Sequence, residues 1–257
     1  MENPKLPLTE HLAEFRKRIF ISLGSVLLIL IIVFNYSENI FDILTLPLKS
    51  ELKLDFTKPY IHMKEKSPTK LVFLAPAEAF WMHFKVSFIA SLILALPIIF
   101  HQLWKFVSPG LLVKEKKYVL PFVFFATGLF IAGALFCFLI ILPFAMTFLL
   151  GYKTENMVPM LSVGSYIDFC LKFIVAFGVI FELPLVIIFL TRLGIVTTKT
   201  LSKNRKYAVL FAFIAGGVLT PTPDAFNQAL MAVPIIILYE IGILLSMIMQ
   251  RRKKVVI

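Results

Sequence analysis

Apolar runs of about twenty residues recur along this chain, and basic residues bound them. A helix crosses the hydrocarbon core of a bilayer with about 20 apolar residues. In lipid each backbone N–H and C=O must be bonded within the spanning structure, so such runs fold as helices. Hydrophobic residues make up 59% of the sequence, against about 45–50% in soluble domains. The expected fold class is an all-α polytopic membrane protein.

The first run covers residues 19–36, the second 84–104 with a bend near Pro97, the third 119–142 and the fourth 166–189. The fifth, 208–219, meets Thr220-Pro221-Thr222-Pro223-Asp224 at once, and the sixth covers 229–249. Between Lys206 and Pro221 there is room for at most about fourteen helical residues, or about 21 Å, against a core about 30 Å thick. A short fifth span must be met by local thinning, snorkelling flanks or burial in a partner.

Basic residues give the orientation. Lys5, Arg16, Lys17 and Arg18 precede the first run, and Lys105, Lys114, Lys116 and Lys117 separate the second from the third. Arg192, Lys199, Lys203, Arg205 and Lys206 lie between the fourth and fifth, and Arg251, Arg252, Lys253 and Lys254 follow the sixth. In the alternate loops the lysines are balanced by acids such as Glu38, Asp42, Glu51, Asp55 and Glu155. Surplus Lys and Arg mark the cytoplasmic side, which predicts six transmembrane helices, N-in and C-in. On that scheme 1–18, 105–118, 190–207 and 250–257 are cytoplasmic, 37–83, 144–165 and 220–227 are outer, and residues 1–257 form one domain. The net charge of +11 is then explained by topology and anionic lipid, whereas nucleic-acid binding needs a soluble basic face.

Several local features carry expectations. Residues 41–47 read as a short amphipathic helix ended by Pro47, 64–68 as an exposed loop, and 144–150 as a second outer helix stopped by Gly151. Cys137 and Cys170 lie inside apolar runs and read as small core residues. The first run follows Arg16-Lys17-Arg18, is too long for a signal-peptide core and lacks a small-residue cleavage site, so no cleavable signal is expected.

Ionisable groups inside spans are costly and select themselves for attention. Lys85 sits near a span end and can snorkel. Asp168 and Lys172, four apart, share a helix face and are expected to pair. Glu182 has no basic neighbour within a helical turn and lies about 24 Å along its span from Tyr166. Its carboxyl is expected to be protonated, bonded to another span, or facing a water-filled concavity. Pro184 marks a kink beside it. Thr220, Asn227 and Gln228 serve either as glue and turn chemistry within the chain or as contacts for a partner helix. Glu240 has no close partner in sequence. Glu115 is the lone acid among the lysines of the second cytoplasmic loop. It either pairs with those lysines or receives a cation from another molecule.

Four segments in order resemble the TatC family, the multispanning core of the twin-arginine protein translocase. They are His11-Leu12-Ala13-Glu14-Phe15-Arg16-Lys17-Arg18, then Gln102 to Leu111 with Glu115-Lys116-Lys117, then Ala176 to Pro184, and Thr220 to Asp224 with Gln228. The resemblance covers essentially the whole chain. It implies a single concave helical domain in the cytoplasmic (inner) membrane of a prokaryote, and a non-enzymatic receptor for twin-arginine signal peptides of folded cargo. It assigns Glu14, Arg16, Phe106, Pro109, Leu111 and Glu115 to the signal peptide, with Glu14 and Glu115 holding its arginines. A carboxylate accepts a guanidinium in bidentate fashion, which lysine cannot match. It assigns Glu182, Thr220, Asp224 and Gln228 to intramembrane contacts. Glu182 would lie on a concave surface and meet the signal peptide or a partner span, and the Thr220 and Gln228 region would dock single-span TatA/TatB-type partners. Further copies of the chain and membrane lipid are the other implied partners. No cofactor, metal or nucleic acid is expected, since neither a P-loop nor ligand spacing among the histidines is present. Energy would come from the proton motive force. The competing expectation is a proton-coupled small-solute transporter working through Glu182, although no internal repeat supports it.

Overall fold

The computed structural model describes residues 8–54, 61–65, 71–107, 119–151, 160–220 and 224–255. Helix α1 (Leu8–Val33) passes through a 3-10 turn (Phe34–Tyr36) into α2 (Ser37–Leu44) and the short α3 (Leu46–Lys49). Pro47 does not end α2 as expected. The helix stops at Leu44, and Pro47 falls in the first turn of α3, where a missing N–H costs no intrahelical bond.

Strands β1 (Ser50–Leu54) and β2 (Ile61–Glu65) pair antiparallel, with Ser50 opposite Glu65. Lys64 and Glu65, expected in a loop, are therefore in a strand, and residues 66–70 lie outside the described ones. Strand β3 (Leu71–Val72) precedes α4 (Glu78–Val107), which carries Pro97 without interruption.

Helix α5 (Val119–Phe136) continues through a π-helical turn (Cys137–Ile141) into α6 (Leu142–Gly151). Residues 144–150 thus do not start a separate helix; they continue the helix of the third apolar run. Pro143 supplies the reason. Its ring crowds the carbonyl four residues back and offers no N–H, and the wider turn, closed by Leu142 N–H on Cys137 O, accommodates both. Gly151 is the last helical residue. Strand β4 (Leu161–Ser162) pairs in parallel with β3. Helix α7 (Val163–Phe181) starts at Ser162, whose hydroxyl accepts from Ser165 N–H. Then follow α8 (Leu183–Arg192), α9 (Thr198–Lys203), α10 (Arg205–Leu219) and α11 (Ala225–Val255).

Five helical stretches among the described residues are long and apolar enough to cross a membrane: Leu12–Leu48, Glu78–Phe106, Val119–Gly151, Val163–Arg192 and Ala225–Gln250. Helix α10, in the place of the fifth predicted span, has 15 residues, about 22 Å. The sequence anticipated that shortness.

Contacts divide the chain into two compact units. In the first, Met1–Ile43 with Pro76–Gly128, α1 lies along α4, and Val26, Val33, Val86 and Ala95 are buried. In the second, Leu44–Ala75 with Leu129–Ile257, α11 packs on α8 and α10. Phe173, Phe177, Ile167, Met231 and Ile243 fill its interior. Tyr166 reaches across it, donating its hydroxyl to Leu44 O at 2.6 Å. Gly133 and Gly178 bring α5 and α7 together. A Cβ on Gly133 would lie 2.5 Å from Phe177 O, and one on Gly178 would enter the Phe130 ring.

Among the described residues Lys172 is exposed and makes no ion pair with Asp168, four positions before it, whose interactions lie elsewhere. Such pairs contribute only about 0.2–0.5 kcal/mol, too little to compel contact. Glu240, without a sequence neighbour, has found one through the fold. Arg205 Nε and Nη2 donate to its two oxygens at 2.7 and 2.8 Å. Tyr239 OH on Leu201 O and Thr198 Oγ1 on Gln250 Oε1 fasten α9 to the same end of α11.

Candidate functional site

The first cluster lies where α1 begins and α4 ends. Glu14 and Arg18 are four apart on α1, so the helix stacks them on one face. Arg18 Nη2 donates to Glu14 Oε1 at 2.7 Å, and Nη1 donates to Gln102 Oε1 of α4 at 3.1 Å. The Glu14 and Arg18 side chains are 22% and 23% exposed. Arg18 Nε is buried without a hydrogen-bond partner, so the guanidinium is incompletely satisfied. Beside them Phe15 and Phe106 meet with ring centroids 5.2 Å apart. Together with Ile19, Ser22 and Leu103, these side chains line an almost wholly apolar cleft of about 240 Å³. From Phe15 to Leu23 it follows α1 for about 12 Å. Trp104, on the opposite side of α4, is buried with its ring centroid 4.3 Å from that of Phe122 on α5.

Of the residues expected to meet a signal peptide, the fold sets Phe106 against Phe15, the neighbour of Glu14 on α1. Arg16 is exposed and makes no ion pair among the described residues. Pro109, Leu111 and Glu115 lie outside the described residues. Arg18 and Gln102 were not assigned from sequence, though the four-residue spacing from Glu14 was a usable signal for Arg18. Gln102 gave no such signal, because its partner is 84 positions away.

Glu182 occupies the break between α7 and α8, serving as C-cap of one and N-cap of the other. Pro184 enforces that break. It cannot donate to Ile180 O, and Glu182 N–H turns back to Val179 O at 3.1 Å instead. Glu182 Oε1 is buried and accepts no hydrogen bond from a described residue. Next to it, Phe181 joins Phe136, Ile140, Leu230 and Val233 around an apolar cleft of about 710 Å³.

Thr220, Asp224 and Gln228 gather at the turn between α10 and α11. Thr220 Oγ1 donates to Gly216 O at 2.8 Å. Asp224 caps α11, Oδ1 accepting from Asn227 N–H at 2.7 Å and Oδ2 from Asn227 Nδ2 at 2.9 Å. Gln228 Nε2 donates to Phe213 O at 2.8 Å. The α10 glycines make this possible, since a Cβ on Gly216 or Gly217 would press on Gln228 at 2.8 or 3.1 Å. Thr220 thus finishes α10 and Asp224 starts α11, while Gln228 ties the two helices together. Glu182 is not among these residues. Pro184 and Ile187 pack on Gly242, about 21 Å along α11 from Gln228.

A model of the family "Sec-independent protein translocase protein (TatC)" matches residues 10–234. The chain is 39% identical over 252 residues to the Sec-independent protein translocase protein TatC of Desulforapulum autotrophicum, covering 98% of this chain and 88% of that one. It is 40% identical over 246 residues to the protein of the same name from Carboxydothermus hydrogenoformans, covering 96% and 95%. The fold is similar to a crystal structure of the twin-arginine translocase receptor TatC in DDM, with a TM-score of 0.78 and 37% identity, covering 92% and 99%.

Proposed function

The chain belongs to the TatC family of Sec-independent protein translocase proteins, and on that premise we propose that the α1–α4 cleft receives a twin-arginine signal peptide. It is a multi-pass bacterial membrane protein and a translocase component, not an enzyme. Signal-peptide binding is the finer assignment. The observation that carries it is Glu14, a half-buried carboxylate bonded to Arg18, which itself lines the apolar cleft, with Glu14 Oε2 accepting no bond from a described residue. A carboxylate beside apolar walls suits a peptide that carries arginine next to hydrophobic residues. Charge attraction alone, without the cleft, would not distinguish such a peptide from any polycation.

In this proposal all six spans cross the inner membrane, α10 being the short one, with both termini cytoplasmic. Arg16, Lys17, Lys105, Arg192, Arg205 and Lys206 would then meet the headgroups on the side where a signal peptide arrives. Glu115, with Pro109 and Leu111, supplies the second carboxylate and the loop around it. Single-span TatA/TatB-type partners meet Glu182, whose buried oxygen lacks a donor. Thr220, Asp224 and Gln228 act there by shaping the α10–α11 turn, because their polar atoms already have partners.

A photocrosslinking amino acid at position 106 or 115, in the chain reconstituted with lipid, tests the assignment. Crosslinks to a twin-arginine peptide, lost when both peptide arginines become alanine, are expected. Equal crosslinking of the alanine peptide would contradict it.

A further inference from the structure

Glu14 already holds an arginine, and that arginine belongs to the chain itself. We infer that Arg18 is a resident competitor in the receptor site, so that a substrate guanidinium binds by exchange with it. This rests on the proposed role of Glu14 and adds the specificity of the same site.

Of the two Glu14 oxygens Arg18 bonds Oε1, at 2.7 Å, and Oε2 accepts no bond from a described residue. A bidentate arginine uses both oxygens. Although Oε1 has a second lone pair, a guanidinium seated there sets its charge directly against that of Arg18, so repulsion between the two cations drives Arg18 off. Arg18 can leave without losing its anchorage. Nη1 keeps Gln102 at 3.1 Å, and the buried Nε already lacks a partner where it stands. The contact being broken is an i,i+4 pair with both side chains more than a fifth exposed, a class worth little in isolation. Exchange is therefore cheap but not free.

The chemistry of the incoming group decides whether exchange occurs. A guanidinium replaces one hydrogen bond to Glu14 by two. An ammonium replaces one by one and brings its charge close to Arg18 without releasing a net bond. Arg18 thus sets a threshold that lysine does not clear, and the cleft lined by Phe15 and Phe106 holds the peptide while the exchange takes place.

Titration of labelled twin-arginine peptide into the chain in lipid nanodiscs tests this. Arg18→Gln should bind about two- to fivefold more tightly than wild type, with Arg18→Lys between them, and a twin-lysine peptide should rise above background in Arg18→Gln. If Arg18 only positions Glu14, the order reverses, wild type binding best and Arg18→Gln worst, and the exchange is refuted. The wild-type chain provides a readout that needs no variant. Phenylglyoxal modification of Arg18, followed by mass spectrometry with Arg16 as internal reference, should accelerate when peptide saturates the site. An unchanged or slower rate would refute the exchange. Binding that is unaffected by Glu14→Gln would instead bring down the receptor assignment itself, and the exchange with it.

Discussion

Glu14→Gln is expected to weaken binding of a twin-arginine peptide by about five- to thirtyfold. A hydrogen bond to a charged group contributes about 1.5–3 kcal/mol. The part-buried i,i+4 pair with Arg18 that must first be given up is worth about 0.3–1 kcal/mol. The difference, about 1–2 kcal/mol, corresponds to that range of affinity. Glutamine keeps the length and one acceptor oxygen but carries no charge and cannot receive both guanidinium nitrogens. Binding isotherms in nanodiscs give the number directly. The fold should be unaffected, because the side chain is partly exposed and Arg18 retains Gln102.

The second large effect is on assembly. Gly178→Val is expected to destabilise the second unit by about 1–3 kcal/mol or more, the usual cost of overpacking. The α5–α7 contact has no slack, since a Cβ at position 178 enters the Phe130 ring and one at Gly133 meets Phe177 O. Ring and backbone are both on packed helices, so neither can yield cheaply. The heat resistance of the detergent-solubilised protein, read as the monodisperse fraction after a temperature series, should fall sharply. Gly24→Ala is the control, because a Cβ there meets no atom within 4 Å, and its resistance should be unchanged or slightly raised. Equal losses in both variants would show that the glycine contact does not hold the helices.

Much of this architecture was legible in the order of residues, for identifiable reasons. The five long apolar helices and the shortness of α10 followed from apolar length and the positions of Lys206 and Pro221. The break at Glu182 followed from Pro184, a constraint that acts within one turn. Features decided by distant residues were not legible. The pairing of β3 with β4 joins Leu71 to Leu161, and no local period encodes it. Glu240 seemed unpartnered because Arg205, 35 positions away, reaches it only once α10 turns back onto α11. The π-turn before Pro143 was hidden for another reason. A proline beside apolar residues is compatible with a helix end or with a widened turn, and only packing chooses between them.

At the candidate site the motif containing Glu14 was visible, but its present partner was overlooked. Sequence directed attention to the lysines around Glu115 as competitors for a carboxylate. For Glu14 the competitor is Arg18, on the same helix and one turn away, tied to α4 through Gln102. The polar turn at Thr220, Asp224 and Gln228 had two open roles, and its hydrogen bonds favour the one internal to the chain.

The most direct measurement is a double-mutant cycle between Glu14 and the arginines of the peptide. Wild-type chain and Glu14→Gln are each titrated with the twin-arginine peptide and with peptides in which one arginine is replaced by glutamine. Coupling of about 1–2 kcal/mol with one of the two arginines is expected, because residues in direct contact give interaction energies of about 0.5–3 kcal/mol. Additive losses at both arginines, with coupling indistinguishable from zero, would mean that neither reaches Glu14 and that the cleft between α1 and α4 is not the receptor.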